Sequence, residues 1–311
     1  MNVAKKTRVL VLMSGGLDSM LAAKVLSEQG IEVTPICFTS YFFGSKAAEK
    51  ASKAIGLSLR AVDVSAAQLE VVKKPKHGRG GAMNPCIDCH LLMIKTAKEI
   101  MEKEGYDLIA TGEVLEERPM SQNKRSMDLI EKESGLKGKL LRPLSAKLLP
   151  ETEAEISGLV DRARLEGISG RSRARQFELA EIFGIAEIPQ PSGGCILTEK
   201  DYGEKLASLE KINPDFDGND ARILRLGRVF FEDKLLIVVA RDKNESEVLP
   251  GSAKKGDAVF LPENFPGPSV LIRNLGALSI EKEKLEELGK KYVIDYANKA
   301  LDDARISSKY L

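Results

Sequence analysis

The feature that most constrains this chain is a short apolar run, Arg8-Val9-Leu10-Val11-Leu12-Met13, that stops abruptly in Ser14-Gly15-Gly16-Leu17-Asp18-Ser19. An unbroken apolar run ended by glycines reads as a strand buried on both faces, the kind found in parallel sheets. Residues 18–29 then read as a helix that stops at Gly30. Such a turn points successive backbone N–H groups and the positive end of a helix at its occupant, so a phosphate is the natural ligand. Gly15 and Gly16 permit close approach, Ser14 and Ser19 supply hydroxyls, and Asp18 makes sense beside a Mg²⁺ that bridges phosphates. An ordinary strand–helix turn capped by Asp18 or Ser19 is the plainer reading of Ser-Gly-Gly alone. The chain has no G-x-x-x-x-G-K-[ST] run, so chemistry at a γ-phosphate of that kind is not indicated.

The alternation continues. Residues 32–38 and 57–64 read as strands, residues 46–55 as a helix, and residues 86–104 as a helix with Leu91, Ile94, Ala97 and Ile100 on one face. Asp107-Leu108-Ile109-Ala110-Thr111 is a further buried strand, and helices are expected over 122–134, 151–166 and 174–183. Strands and helices in this alternation give an α/β fold with a doubly wound parallel sheet, assigned to residues 1–200. Residues 201–311 change character, with short apolar runs at 222–226, 228–231, 235–240, 258–261 and 269–272. These predict a smaller β-rich domain, closed by a terminal helix over about 281–302.

Four cysteines stand at 37, 86, 89 and 195. Cys37 sits between Ile36 and Phe38 and reads as a small core residue. In Asn84-Pro85-Cys86-Ile87-Asp88-Cys89-His90 two thiols three residues apart open a helix, whose N-terminus favours thiolate. Cys195 follows Ser192-Gly193-Gly194. Three thiolates are one short of a closed zinc site and suit a 4Fe-4S cluster with one open iron. A Cys₃His zinc site with His90 and a redox dithiol at Cys86 and Cys89 stay open as alternatives.

The complete hexapeptide in its strand–loop–helix setting resembles the PP-loop of the ATP pyrophosphatases, whose fold is that of the adenine nucleotide alpha hydrolases. The order of this loop, Asn84-Pro85 with Cys89, Ala110-Thr111-Gly112, then Pro191-Ser192 with Cys195 is similar to the tRNA 2-thiouridylases. The PP-loop domain also looks like that of the 4-thiouridine synthetases. The resemblance implies ATP binding at Ser14, Gly15, Gly16, Asp18 and Ser19, with Phe38 near the adenine and Thr111 and Gly112 also approaching the nucleotide. It implies cleavage of ATP between the α and β phosphates, with Mg²⁺, to adenylate a uridine carbonyl, and Asp18, Cys89 and Cys195 as catalytic residues. In the 2-thiouridylases the position of Cys86 is commonly Asp. Because this chain has Cys86, the resemblance shifts towards the three-cysteine enzymes, with Cys86, Cys89 and Cys195 holding an iron–sulfur cluster, and away from a persulfide relay between Cys89 and Cys195.

Residues 73–81 carry several positive charges, no acids and glycines that leave the segment mobile, and Arg162, Arg164, Arg171, Arg173 and Arg175 form a second basic stretch. Cationic loops beside a sulfur-transfer site suit tRNA. Residues 222–276 look like the RNA-binding module of the NFACT group of ribosome-associated proteins. The formal net charge is only +1, so any affinity for RNA must be local. With no apolar run of about 18 residues there is no membrane span, and the protein is expected to be cytoplasmic. The expected partners are tRNA, a sulfur donor (sulfide or a persulfide carrier) and a second copy in a homodimer. The reading is an ATP-dependent tRNA sulfurtransferase; its rival is a PP-loop enzyme thiolating or amidating a small molecule such as a free nucleobase.

Overall fold

The computed structural model describes residues 6–189, 195–276, 280–297 and 303–311. They divide into two units, residues 1–80 with 84–196, and residues 81–83 with 197–311.

In the first unit β1 (Arg8–Leu12), β2 (Glu32–Thr39), β3 (Arg60–Asp63), β4 (Leu108–Thr111) and β5 (Leu140–Leu141) form a parallel sheet in the order β3-β2-β1-β4-β5. The helices are α1 (Leu17–Ser27), α2 (Lys46–Ala54), α3 (Ser65–Lys73), α4 (Cys86–Glu104), α5 (Lys124–Glu133), α6 (Glu153–Ile156) and α7 (Ala174–Ile182). Strand alternation sorts the core into two layers. Val9, Val11 and Ala110 pack with Leu17, Leu21 and Leu179, while Leu10, Ile36 and Ile109 pack with Leu91, Ile94 and Ile130 on the other face. Each fully buried aliphatic chain contributes roughly 1.5–3 kcal/mol, so both faces must stay covered. Cys37 lies in the first layer as a core residue.

The chain leaves β1 towards β2 and β3, then crosses back to place β4 on the other side of β1. That reversal opens a crevice at the carboxyl ends of β1 and β4, where open α/β sheets bind ligands. The residues met there are Met13–Ser19 and Thr111-Gly112.

Three sequence expectations need correcting here. The strand over 57–64 shortens to Arg60–Asp63, and α3, which was not expected, follows at once. The helix over 122–134 begins at Lys124, because the Asn123 side chain accepts from Ser126 N and caps it. The helix over 151–166 survives only as α6 and a 3₁₀ turn at Arg162–Arg164, since Gly158 adopts φ +73° between them.

The second unit holds α8 (Lys200–Ile212), α9 (Gly218–Ile223), β6 (Arg228–Glu232), β7 (Leu235–Val239), α10 (Lys243–Val248), β8 (Asp257–Pro262), β9 (Val270–Asn274), α11 (Lys282–Asp295) and β10 (Ile306–Tyr310). Its strands form an antiparallel sheet in the order β10-β8-β9-β7-β6. One face buries Ile237, Val239, Phe260 and Ile272 under Tyr292 and Val293 of α11. Gly289 makes that approach possible, because any side chain there would run into the Phe260 ring. The run at 222–226 forms the end of α9 and the turn after it, the helix being started by a capping box between Asp217 and Asp220, and is not a strand. Nor does a helix close the chain: α11 ends at Asp295, and β10 pairs with β8 along the sheet edge. Among the described residues no helix is long and apolar enough to cross a membrane.

Candidate active site

The loop between β1 and α1 is shaped before any ligand arrives. Gly15 adopts φ +91°, and a Cβ there would lie 2.5 Å from the Ala47 carbonyl carbon and 2.6 Å from Ala48 N, at the start of α2. Only glycine fits. Gly16 is the N-cap of α1, and no side chain caps it. Ser14 Oγ accepts from Gly16 N at 3.3 Å, and Ser19 Oγ donates to Gly16 O at 2.7 Å. The N–H groups of the first helical turn therefore keep no side-chain partner and face the crevice as an anion cradle. From the other side, a Cβ at Gly112 would fall 2.6 Å from both N and Cα of Ser19 and 2.7 Å from the Asp18 carbonyl carbon. The end of β4 thus rests directly on the loop, and Thr111, Gly112, Ser14, Gly15, Gly16, Asp18 and Ser19 form one locality.

Asp18 Oδ1 is buried and has no hydrogen-bond partner. Burial pushes its carboxyl up, opposed by Arg173, Gln176 and Arg118. An orphaned carboxylate oxygen beside an anion cradle fits a divalent cation carried by a polyphosphate. The Phe38 ring is buried in the layer with Val64, Leu91 and Ile94, and half-buried Thr39 and Ser40 follow it at the end of β2.

Cys86 is the first residue of α4 and is half-buried, and Asn84 Nδ2 donates to its sulfur at 3.2 Å. Cys89, one turn on, is 8% exposed, and Gln68 Nε2 donates to its sulfur at 2.8 Å. Burial pushes the Cys89 thiol well up, Gln68 opposes this, and the nearby Cys195, Cys86 and Asp88 push it further in the same direction. Two conclusions follow. The three cysteines 86, 89 and 195 share one neighbourhood. The expectation that the helix start favours thiolate fails at Cys89, because desolvation outweighs the helix end. None of the four cysteines is in a disulfide. Among the described residues no group of three or more His, Cys, Asp or Glu side chains stands ready to hold a metal ion. Cys86, Cys89 and Cys195, all thiols, are the residues that would hold an iron–sulfur cluster. The Gly193-Gly194 turn before Cys195 lies outside the described residues.

Sequence reading missed a buried network that joins the cysteine helix to the nucleotide turn. His90 Nδ1 lies 2.8 Å from Glu113 Oε1, and Arg142 Nε donates to Glu113 Oε2 at 3.0 Å. Arg142 also donates to Glu131 Oε2 at 2.9 Å, and Thr111 Oγ1 to Glu113 Oε2 at 3.1 Å. Burial alone would raise the Glu113 carboxyl, but Arg142 and His90 outweigh it and hold it down to about 2. His90 is thereby fixed through Nδ1 by a carboxylate, which orients its ring. Only the Thr111-Gly112-Glu113 run signalled any of this; Arg142 lies in no motif.

The basic stretches are less free than their composition suggests. His77 is held between Asp88, at 2.7 Å, and Glu133, at 3.2 Å, and Arg79 donates to the carbonyls of Val72 and Lys73. Residues 73–81 are therefore tied to α4 and α5, contrary to the mobile loop expected. Arg162 pairs with Glu155, and Arg175 with Glu166 and Glu178.

Residues 4–147 match the model of the family described as Thiamine biosynthesis protein (ThiI). A probable tRNA sulfurtransferase of Methanosarcina mazei is 35% identical over 114 residues, which cover 35% of this chain and 28% of that protein. The tRNA-specific 2-thiouridylase MnmA 3 of Bacteroides fragilis is 32% identical over 119 residues, 36% of this chain and 33% of that protein. The chain thus spans about a third of the length of the curated relatives it matches. A crystal structure of a 4-thiouridine synthetase–RNA complex with bound ATP aligns over 70% of this chain and 52% of that one, at 20% identity and a TM-score of 0.44. The matched residues fall almost entirely within the first unit.

Proposed function

We propose that this protein is an ATP-dependent tRNA sulfurtransferase that makes a thiouridine. The observation that carries the reading is the placement of three cysteines in one neighbourhood of a domain whose glycine loop is preformed for a polyphosphate. An ATP site alone says nothing about sulfur, and a thiol cluster alone says nothing about activation.

ATP binds residues 14–19 with its phosphates on the N–H groups at the start of α1, where Asp18 would hold a Mg²⁺ that neutralises phosphate charge. A uridine carbonyl oxygen attacks the α-phosphate, the α–β bridge breaks and pyrophosphate leaves. This converts a poor oxygen leaving group into AMP. A persulfide sulfur then attacks the activated carbon, AMP departs with the original oxygen, and the carbon keeps the sulfur. Half-buried Cys195 is the better carrier of that persulfide, because a donor can reach it. The Cys89 thiol beside it then cleaves the S–S bond to leave a Cys89–Cys195 disulfide, which a thiol reductant reopens. A 4Fe-4S cluster on Cys86, Cys89 and Cys195 is the competing arrangement, favoured by the nearness of all three. The target base must be unstacked to enter, so a splayed position of the tRNA is the substrate.

The second unit, read as an RNA-binding module, would hold the tRNA while the first does chemistry. The enzyme is placed in the cytoplasm with its substrate, as a homodimer to be checked by sedimentation. Anaerobic incubation with ATP, a persulfide donor, a thiol reductant and unmodified tRNA is the test. Thiouridine and pyrophosphate are expected together; turnover that ignores tRNA would point to a small-molecule acceptor.

A further inference from the structure

Five of the eight buried side-chain atoms that lack a hydrogen-bond partner among the described residues lie in one place, on the rim of the glycine loop. They are Asp18 Oδ1, Glu117 Oε2, Arg173 Nε and both amide atoms of Gln176. Buried polar groups are nearly always satisfied, and a local concentration of exceptions marks a place where something polar is meant to bind. Gln176 is 0% exposed, in the first turn of α7, yet no hydrogen bond of normal geometry reaches its amide. It lies beside Asp18 and favours that residue's charged form.

The backbone brings these residues together. Gly112 sets the end of β4 against Asp18 and Ser19. The chain that follows runs beside the approach to α7, through a parallel bridge between Leu115 and Ser169 and a 2.7 Å hydrogen bond from Gly170 N to Leu115 O. Glu116 then takes φ +62°, a left-handed conformation costly for a residue with a side chain, and is held in it by Glu116 N to Gln122 O at 2.8 Å. The strained turn delivers Glu117 and Arg118 towards Asp18. Helix α7 packs on α1 and brings Arg173 and Gln176 from the other side. The charges of Asp18, Arg118 and Arg173 all act on Glu117, whose carboxyl is pushed up first by burial and then by Asp18. Arg173 lies over the Phe177 ring at 5.3 Å, and the charges of both Arg118 and Arg173 act on Asp18 and Glu117.

We propose that Glu117 is a second carboxylate ligand, with Asp18, for the divalent cation of bound ATP, and that Arg118 and Arg173 flank the pyrophosphate that leaves with it. The inference rests on the ATP-cleaving reading above and adds what that reading lacks, a grip on the leaving group. The cation needs oxygen ligands, which two orphaned carboxylate oxygens supply. The pyrophosphate needs fixed donors where negative charge builds as the α–β bond breaks, which arginines supply in paired geometry. Gln176, whose unpartnered amide lies beside Asp18, is placed to orient that carboxylate when the cation is bound, as a positioning residue.

The test is binding, read apart from turnover. Mn²⁺ is titrated into the full-length protein with an ATP analogue whose α–β bridge is a methylene, and free Mn²⁺ is followed by electron paramagnetic resonance. Glu117→Gln is expected to weaken Mn²⁺ retention by roughly tenfold to hundredfold, the effect of one lost charge-assisted contact. Affinity for the metal-free analogue should stay within about twofold, and Glu117→Asp should recover part of the loss. Arg173→Met should weaken binding of Mn²⁺-pyrophosphate by about tenfold or more. Unchanged Mn²⁺ affinity in Glu117→Gln, with analogue binding and thermal stability like the parent protein, would overturn the proposal. If the parent retains Mn²⁺ with the analogue and the variants lose it, the inference stands even where no tRNA is thiolated, an outcome that would defeat only the choice of acceptor.

Discussion

Gly112 and Gly15 show how single residues decide the site. Each lets one backbone rest on another at a distance no Cβ tolerates, and together they clamp the loop between α2 and β4. Gly112→Ala is expected to cost about 1–3 kcal/mol of stability, the usual penalty of overpacking, and at least tenfold in ATP affinity. Thermal unfolding and calorimetric titration with ATP check both. The cysteines separate by burial. If sulfur travels as a persulfide, Cys89→Ser and Cys195→Ser should each lower thiolation by more than about a hundredfold, while Cys86→Ser keeps activity within about tenfold. Equal loss from all three variants, with iron and sulfide bound to the anaerobically prepared protein, would instead establish the cluster. Glu113 makes the pH dependence explicit. Its carboxyl is ordinary near 4.5 when unfolded and held down to about 2 when folded. Its contribution is therefore complete above about pH 4.5 and is lost as the pH falls towards 2. Glu113→Gln should flatten that part of an acid unfolding curve and cost roughly 3 kcal/mol or more at pH 7, because buried Arg142 loses a partner.

At the scale of elements, the second unit depends on α11 lying flat against its sheet through Gly289. Gly289→Val is expected to lower the unfolding temperature measurably, by about 2–3 kcal/mol of lost packing, since the new side chain displaces Phe260 from the core. What the sequence made legible follows from the strength of its local signals. The α/β alternation was readable because β1 and β4 are nearly uniform apolar runs and α4 has a clear apolar stripe that ends at Gly105. The glycine loop and its neighbour Thr111-Gly112 were readable because the residue types are dictated by backbone contact. Strand β10 was not. Ile306-Ser307-Ser308-Lys309-Tyr310 is a polar edge strand, formed by pairing with β8 and not by its own pattern. Helix α9 was misread because the apolar residues of 222–226 outweighed a capping box that starts at Asp217. The rim of Glu117, Arg118, Arg173 and Gln176 left no sequence signal, because its parts come from segments more than fifty residues apart that meet only through the bridge between Leu115 and Ser169.

For the whole molecule, the balance of charge bears on how RNA could be held. A net charge of +1 gives no long-range attraction, and many cations of the basic stretches are already committed to acids or carbonyls within the fold. RNA binding should therefore depend on salt only modestly, through a few phosphate contacts, and should draw its specificity from the shape of the substrate and the unstacked base. In the proposed reaction the ATP site, the thiols and the RNA act in a fixed order: adenylation first, then sulfur. The most direct measurement is the stoichiometry of one anaerobic reaction with α-labelled ATP, unmodified tRNA and a persulfide donor, in which AMP and thiouridine are both counted. One AMP released for each thiouridine formed, with neither appearing when tRNA is left out, is the expected result. Thiouridine-free tRNA beside ATP cleaved to AMP, or ATP cleaved only to ADP, would contradict the account.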